Sequence, residues 1–117
     1  MAPEKENVIV KKTYQFSLAI IEYTELLEGK QRYSMAKQLF KSGTSIGANV
    51  REAQSAESRV DFRHKMKIAA KEAEETHYWL DLCKDAPNYP NPGILLDVLT
   101  TIQKILSKII SSSYLNA

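Results

Sequence analysis

The chain has 117 residues, 44% hydrophobic and 26% charged, with a formal net charge of +2. That is the composition of one ordinary globular domain, able to bury about two-thirds of its unfolded surface. It excludes a disordered chain and a disulfide-stapled scaffold, and a pI near 8.6 is below the value of about 9 that marks strongly basic nucleic-acid binders.

Cys83 is the single cysteine, so no intrachain disulfide can form and a reducing compartment fits. Its place in an apolar line suits packing better than reactivity. The opening Met-Ala-Pro-Glu-Lys-Glu is polar, with no apolar signal core. No run of about 18 apolar residues occurs, so no membrane span is expected. A cytoplasmic location follows by default.

The first helix is expected from roughly Asn7 to Leu27. Phe16, Ile20, Tyr23 and Leu27 form a seam spaced four, three, four, and Gly29 suits a C-cap. Val8-Ile9-Val10 is too short for a strand and leads into this helix. The second helix should start near Ser34, a good N-cap residue, and run to about Ala53. Its apolar residues Met35, Leu39, Ile46, Val50 and Ala53 lie on one helical face. Residues 54–58 are a break, and Ser58 with Asp61 three positions later resembles a capping box. The third helix runs to about Lys84 along the seam Phe62, Met66, Ala69, Ala73, Thr76, Leu80 and Cys83. Pro87, Pro90 and Pro92 make residues 85–93 a loop. The fourth helix should run from roughly Ile94 to Ser111. Four helices with short connections predict an all-α, antiparallel up-and-down four-helix bundle, with residues 1–117 as a single domain.

Beside the core face of the second helix, Ser42, Ser45, Asn49 and Glu52 repeat with the helical period. They lie about 100° round from the apolar stripe. If a third helix covers this flank, each polar group needs a partner, because a buried unsatisfied one costs roughly 1–3 kcal/mol. Gly43 and Gly47 cost about 1 kcal/mol each in a helix interior, which close approach of another backbone would offset. Ser45, Asn49 and Glu52, with Glu75 from the third helix, read as an interhelical polar network that holds register. The alternative is a ligand or partner site.

The segment Ser45-Ile46-Gly47-Ala48-Asn49-Val50, then Glu52, resembles the signature of the four-helix-bundle family of 23S rRNA intervening-sequence proteins. Ile68-Ala69-Ala70 followed by Glu75 resembles the family's second signature, and the run Lys71 to Leu80 resembles one branch of it. Many relatives have Ser where Glu72 stands. The resemblance covers roughly Tyr14 to Ile110. It implies a bundle that assembles into a five-membered ring, and an association with ribosomal RNA genes. A related branch is the accessory protein of diversity-generating retroelements, which binds nucleic acid and a reverse transcriptase. No enzymatic activity comes with the resemblance.

Apolar residues exceed what one core needs. On the fourth helix Ile94, Val98, Ile105 and Ile110 widen the stripe of Leu95, Leu99, Ile102, Leu106 and Ile109. On the third, Ile68, Trp79 and Leu82 lie away from the main seam and predict a homo-oligomer interface, with Trp79 exposed in the free chain. The alternative is a splayed bundle whose loops cover them.

Charge is uneven. From Ser34 to Glu72 eight basic residues meet four acids, so this stretch carries +4 and the rest of the chain −2. Arg59, Arg63, Lys67 and Lys71 are spaced by four, with Lys65 nearby, and make a stripe able to displace counterions from the phosphates of RNA or DNA. A ring would multiply that stripe. The alternative is a solvated helix face on a protein-interaction scaffold. No aromatic is interleaved among these charges, so base stacking is not expected.

Glu74-x-x-His77 has the spacing of a di-iron ligand pair, but Asp61-x-x-His64 lies on the same helix and cannot be its symmetric partner. No nucleophile elbow, phosphate loop or Cys pair occurs. The expectation is a non-enzymatic protein without metal, cofactor or small-molecule substrate.

Overall fold

The computed structural model describes residues 4–115; residues 1–3 of the polar opening, and residues 116 and 117, lie outside it. Four helices result: α1 (Glu4–Gly29), α2 (Tyr33–Ala53), α3 (Arg59–Asp85) and α4 (Gly93–Leu115), and no strand occurs among the described residues. Val8-Ile9-Val10 is helical, with Ile9 buried.

A helix of 26 residues such as α1 is about 39 Å long. Connections 30–32, 54–58 and 86–92 are too short to carry the chain back along such a length. Each helix therefore runs antiparallel to its predecessor. Consecutive helices pack together and α4 closes onto α1, while the backbones of the diagonal pairs stay further apart. The four-helix bundle is a rod of 48 × 21 × 20 Å.

The expected seams are the core. Phe16, Ile20, Tyr23 and Leu27 of α1, Leu39, Ile46, Val50 and Ala53 of α2, Met66, Ala69, Ala73, Leu80 and Cys83 of α3, and Leu95, Leu99, Ile102 and Leu106 of α4 are all buried. Met35, Phe62 and Ile109 pack only partly against them. Burial is complete near the helix ends as well, at Ile9, Leu27, Ala53 and Cys83.

Helix ends depart from expectation in three places. Gly29 is not the cap of α1. Gln31 N–H donates to Glu28 O at 2.9 Å and Arg32 N–H to Leu27 O at 2.8 Å, a Schellman motif whose left-handed residue is Gln31, at φ 63. A Gln in that region is strained by about 1 kcal/mol, so Gln31→Gly should raise the unfolding free energy by about that amount in urea titrations. The same turn moves the N-cap of α2 from Ser34 to Arg32, which offers no side-chain cap. On α3 the expected cap forms: Ser58 Oγ accepts from Asp61 N–H at 3.0 Å. The Asp61 carboxylate reaches back to Glu57 N–H at 3.4 Å rather than to Ser58 itself. Finally, α4 continues past Ser111 to Leu115, because Ser113 is buried on the core line and extends the pattern Ile102, Leu106, Ile109.

Two contacts align the helices. A Cβ on Gly47 would lie 3.1 Å from the Thr13 carbonyl oxygen, and one on Gly43 would lie 2.8 Å from Ile20 Cγ1. The glycines thus let α2 sit closely on α1. Across the other side, the buried Ser42 and Thr76 hydroxyls bond at 2.9 Å, and Thr76 Oγ1 is 2.7 Å from the Glu72 carbonyl. One Thr proton cannot serve both, so when Thr76 donates to the carbonyl, Ser42 donates to Thr76.

At the loop end, Tyr23 donates to the Pro90 carbonyl at 2.6 Å, and burial pushes its phenol far above the ordinary range. Burial also raises the Cys83 thiol beside it, which keeps the sulfur protonated and unreactive.

Candidate nucleic-acid interface

The flanks of α3 differ in character. One faces α4 and carries Arg63, Lys67, Glu74 and His77. The other faces α2 and carries Lys65, Ile68, Glu72 and Trp79.

The basic residues of α3 do not act alike. Arg59, Lys67 and Lys71 are exposed. Lys65 turns toward α2 and pairs with Glu52 at 3.0 Å, which raises its ammonium pKa. Arg63 is half-buried and locked to α4: its Nε donates to Ser113 Oγ at 2.8 Å and its Nη2 to the Ser113 carbonyl at 2.9 Å. A guanidinium on a carbonyl of the last helical turn also opposes the helix dipole. Arg63 is therefore a clamp on the end of α4 as well as a charge.

The added turn of α4 changes the stripe. Tyr114 lies under Arg63, with the guanidinium carbon 3.8 Å from the ring centroid and Lys67 Nζ at 5.3 Å. The nearby Lys67 ammonium, with Arg63, holds the phenol below the ordinary phenol range. The absence of an aromatic among these charges, true along α3, is corrected by α4. Ending the fourth helix at Ser111 hid this residue. The continuing core spacing through Ser113 was the signal for it.

Between α3 and α4 runs an open groove of about 580 Å³. Lys104, Ser107, Lys108 and Ser111 line its α4 side, and Glu74 and His77 its α3 side. Contacts Arg63–Ser113 and His77–Gln103 set an antiparallel register that places Lys71 opposite residues 107 and 108. Lys67, Lys71, Lys104 and Lys108 are exposed, and none forms an ion pair among the described residues. Lys104 and Lys108 had not been counted with the stripe, because only the register joins them to it.

The α2–α3 seam gathers the other singled-out residues. Ser42–Thr76 and Glu52–Lys65 set a register that puts Asn49 opposite Ile68 and Ser45 opposite Glu72. The expected polar network is local in a single chain. Ser45 donates to the Lys41 carbonyl at 2.6 Å, Asn49 to the Ser45 carbonyl at 2.8 Å, and Glu75 accepts from Trp79 Nε1 at 3.1 Å. Among the described residues no side-chain hydrogen bond joins Ser45, Asn49, Glu52 and Glu75 to one another. Ser45 and Asn49 are half-buried, while Glu52 and Glu75 are exposed. The cross-helix polar pair is Ser42 with Thr76.

A family model described as 23S rRNA-intervening sequence protein matches residues 5–111. The chain belongs to that family. It is also similar to a crystal structure of a protein of unknown function from the S23 ribosomal protein family of Bacteroides thetaiotaomicron. The two are 41% identical with a TM-score of 0.86, over 92% of this chain and 98% of that one. No curated protein matches the chain.

In this 23S rRNA-intervening sequence family member the signature stretch divides by side. Ile46 and Val50 enter the core, Gly47 meets α1, and Ser45, Asn49 and Glu52 line the α3 seam. Trp79 is half-buried, contrary to the expected exposed Trp, because its ring packs partly on the core; Ile68 is half-buried and Leu82 is 38% exposed. A second apolar patch lies on α1 and α2, where Tyr14, Leu18 and Phe40 are each about half exposed. The fourth-helix surplus is partly absorbed: Ile105 and Ile110 pack against the core, and Ile94 stays open.

Burial, then the neighbouring Glu75, raises the Glu72 carboxyl pKa, against Lys41. A raised acid favours folding below the ordinary carboxyl pKa, and that contribution is lost as pH rises through the raised value. Glu72→Gln should therefore be more stable than wild type near pH 7 and equal to it near about pH 4. Urea unfolding at both values checks this; equal stability at both contradicts it.

His77 Nδ1 meets Gln103 Oε1 at 2.9 Å, and Nε2 is 3.6 Å from Asp81. Among the described residues no three His, Cys, Asp or Glu side chains are arranged to hold a metal. No described helix is long and apolar enough to cross a membrane.

Proposed function

We propose that the chain is a non-enzymatic, homo-oligomeric bundle protein of the cytoplasm that binds RNA or DNA by charge along the α3–α4 face. The observation that carries this reading is the set of exposed lysines on two neighbouring helices, Lys67 and Lys71 on α3 and Lys104 and Lys108 on α4, the last two lining the groove, all four free of ion pairs among the described residues. Four unneutralised ammonium groups at helical spacing can track a phosphate backbone and release its counterions. Such contacts position a protein without reading base sequence.

Oligomerisation rests on the two apolar patches. A ring joins two different patches on each subunit. Ile68, Trp79 and Leu82 on α3 offer one, and Tyr14, Leu18 and Phe40 on α1 and α2 offer the other. Five subunits is the number the family resemblance implies. Neither patch includes the α3–α4 groove, so assembly leaves the groove open and repeats it.

Retention of a labelled strand on a filter at low salt tests the binding. Wild type should retain it, and Lys67→Glu with Lys71→Glu should weaken retention strongly while the protein stays folded. These two positions are cleaner than Arg63, whose loss also unseats the end of α4. Equal binding by the double variant refutes the site. The alternative, a protein-interaction scaffold, is favoured by the same apolar patches, and it takes over if wild type retains no RNA or DNA.

A further inference from the structure

Past the Ser111 end of the α3–α4 groove, the last turn of α4 carries an aromatic that charge alone does not require. Tyr114 is 50% exposed although it sits in the last turn of α4. Arg63 covers its ring at 3.8 Å and is itself fixed by two hydrogen bonds to Ser113. The ring is thus held in one orientation before any ligand arrives. A flexible surface tyrosine would lose side-chain entropy on binding; this one has lost most of it already.

We infer that the groove takes single-stranded nucleic acid, with phosphates on Lys67, Lys71, Lys104 and Lys108 and a base stacked on Tyr114. This rests on the reading that the chain binds nucleic acid, and it names the form of the ligand. The reasons are geometric. Every base has a π-face, so an exposed aromatic beside a basic track binds unpaired bases of any sequence. In a duplex the faces are already stacked and unavailable. From Lys104 to Tyr114, α4 rises about 15 Å, room for roughly four nucleotides at 3.4 Å spacing. On α3 the positive charge stops at Lys71, and Glu74 and His77 follow on the groove's α3 side, so the track begins at Tyr114 and ends near Lys104. Arg63 is a positioning residue in this site: it fixes the ring and adds positive charge to its covered face.

Fluorescence anisotropy with three probes tests the inference: a short oligouridylate, an abasic strand of the same length, and a duplex of that length. Wild type should bind oligouridylate more tightly than the abasic strand and the duplex. Tyr114→Leu should weaken oligouridylate binding roughly 5- to 150-fold, the range for loss of one base stack. Its salt dependence and its affinity for the abasic strand should be unchanged, and Tyr114→Phe should bind like wild type. Circular dichroism on both variants checks that the helices persist. If Tyr114→Leu binds oligouridylate like wild type, or the abasic strand or duplex binds as tightly, the stacking site is wrong and charge-only binding stands. If no probe binds wild type, both readings fall.

Discussion

Leu18→Glu and Leu82→Glu, made separately, should each turn the assembly into a folded monomer of 13.3 kDa. Wild type should give several times that mass by light scattering. Leu18 is 49% and Leu82 38% exposed in the single chain, so either carboxylate remains solvated in a monomer and changes its stability little. In an apolar contact the same carboxylate must be desolvated, at several kcal/mol per site, a loss of a thousandfold or more in association. Because each contact in a ring joins one patch to the other, either change breaks all of them. If Leu18→Glu alone dissociates the assembly, the contact is isologous on α1 and α2. A wild-type monomer at micromolar concentration contradicts oligomerisation outright.

Gly43→Val should cost about 3 kcal/mol, the upper part of the range for overpacking a close-packed core. Even one added carbon would lie 2.8 Å from Ile20 Cγ1 and 3.0 Å from Cγ2 and Cδ1. Ile20 is fully buried, and its branched carbons cannot rotate away, so α2 must move off α1. The melting temperature should fall by roughly 10–15 °C in thermal denaturation. Gly29→Ala is the opposite case. Nothing lies within 4 Å of the added carbon, so the helix gains about 0.5–1 kcal/mol. An unchanged melting temperature in Gly43→Val contradicts the close approach of α1 and α2.

The bundle was legible because its core obeys one period. The seam Phe62 to Cys83 keeps three–four spacing for six turns, and no other backbone geometry buries such a line. Helix ends were less legible, because they depend on a few hydrogen bonds. Gly29 and Ser34 are the residue types favoured at helix ends, yet the left-handed turn fell at Gln31. The fourth helix was expected to end near Ser111, but Ser113 is buried and bonded to Arg63.

The candidate groove was half legible. The spacing of Arg59, Arg63, Lys67 and Lys71 shows the α3 part of the basic face. The α4 part, Lys104, Lys108 and Tyr114, depends on how α4 registers against α3, which periodicity on either helix alone does not contain. Periodicity also placed Lys65 near the stripe, whereas its position on the α2 flank commits it to Glu52. The Ser45, Asn49 and Glu52 flank was correctly located beside the core, but hydroxyl and amide groups on a helix can bond the preceding turn as readily as another helix.

The salt dependence of strand binding tests the central claim most directly, because it counts the phosphates that the groove neutralises. With four free lysines per groove, the slope of log affinity against log salt for a single strand should be about −3 per occupied groove, at roughly −0.7 per phosphate. In Lys67→Glu with Lys71→Glu it should fall by at least half. A slope near zero in wild type, or one that the double variant leaves unchanged, contradicts a phosphate-tracking α3–α4 face.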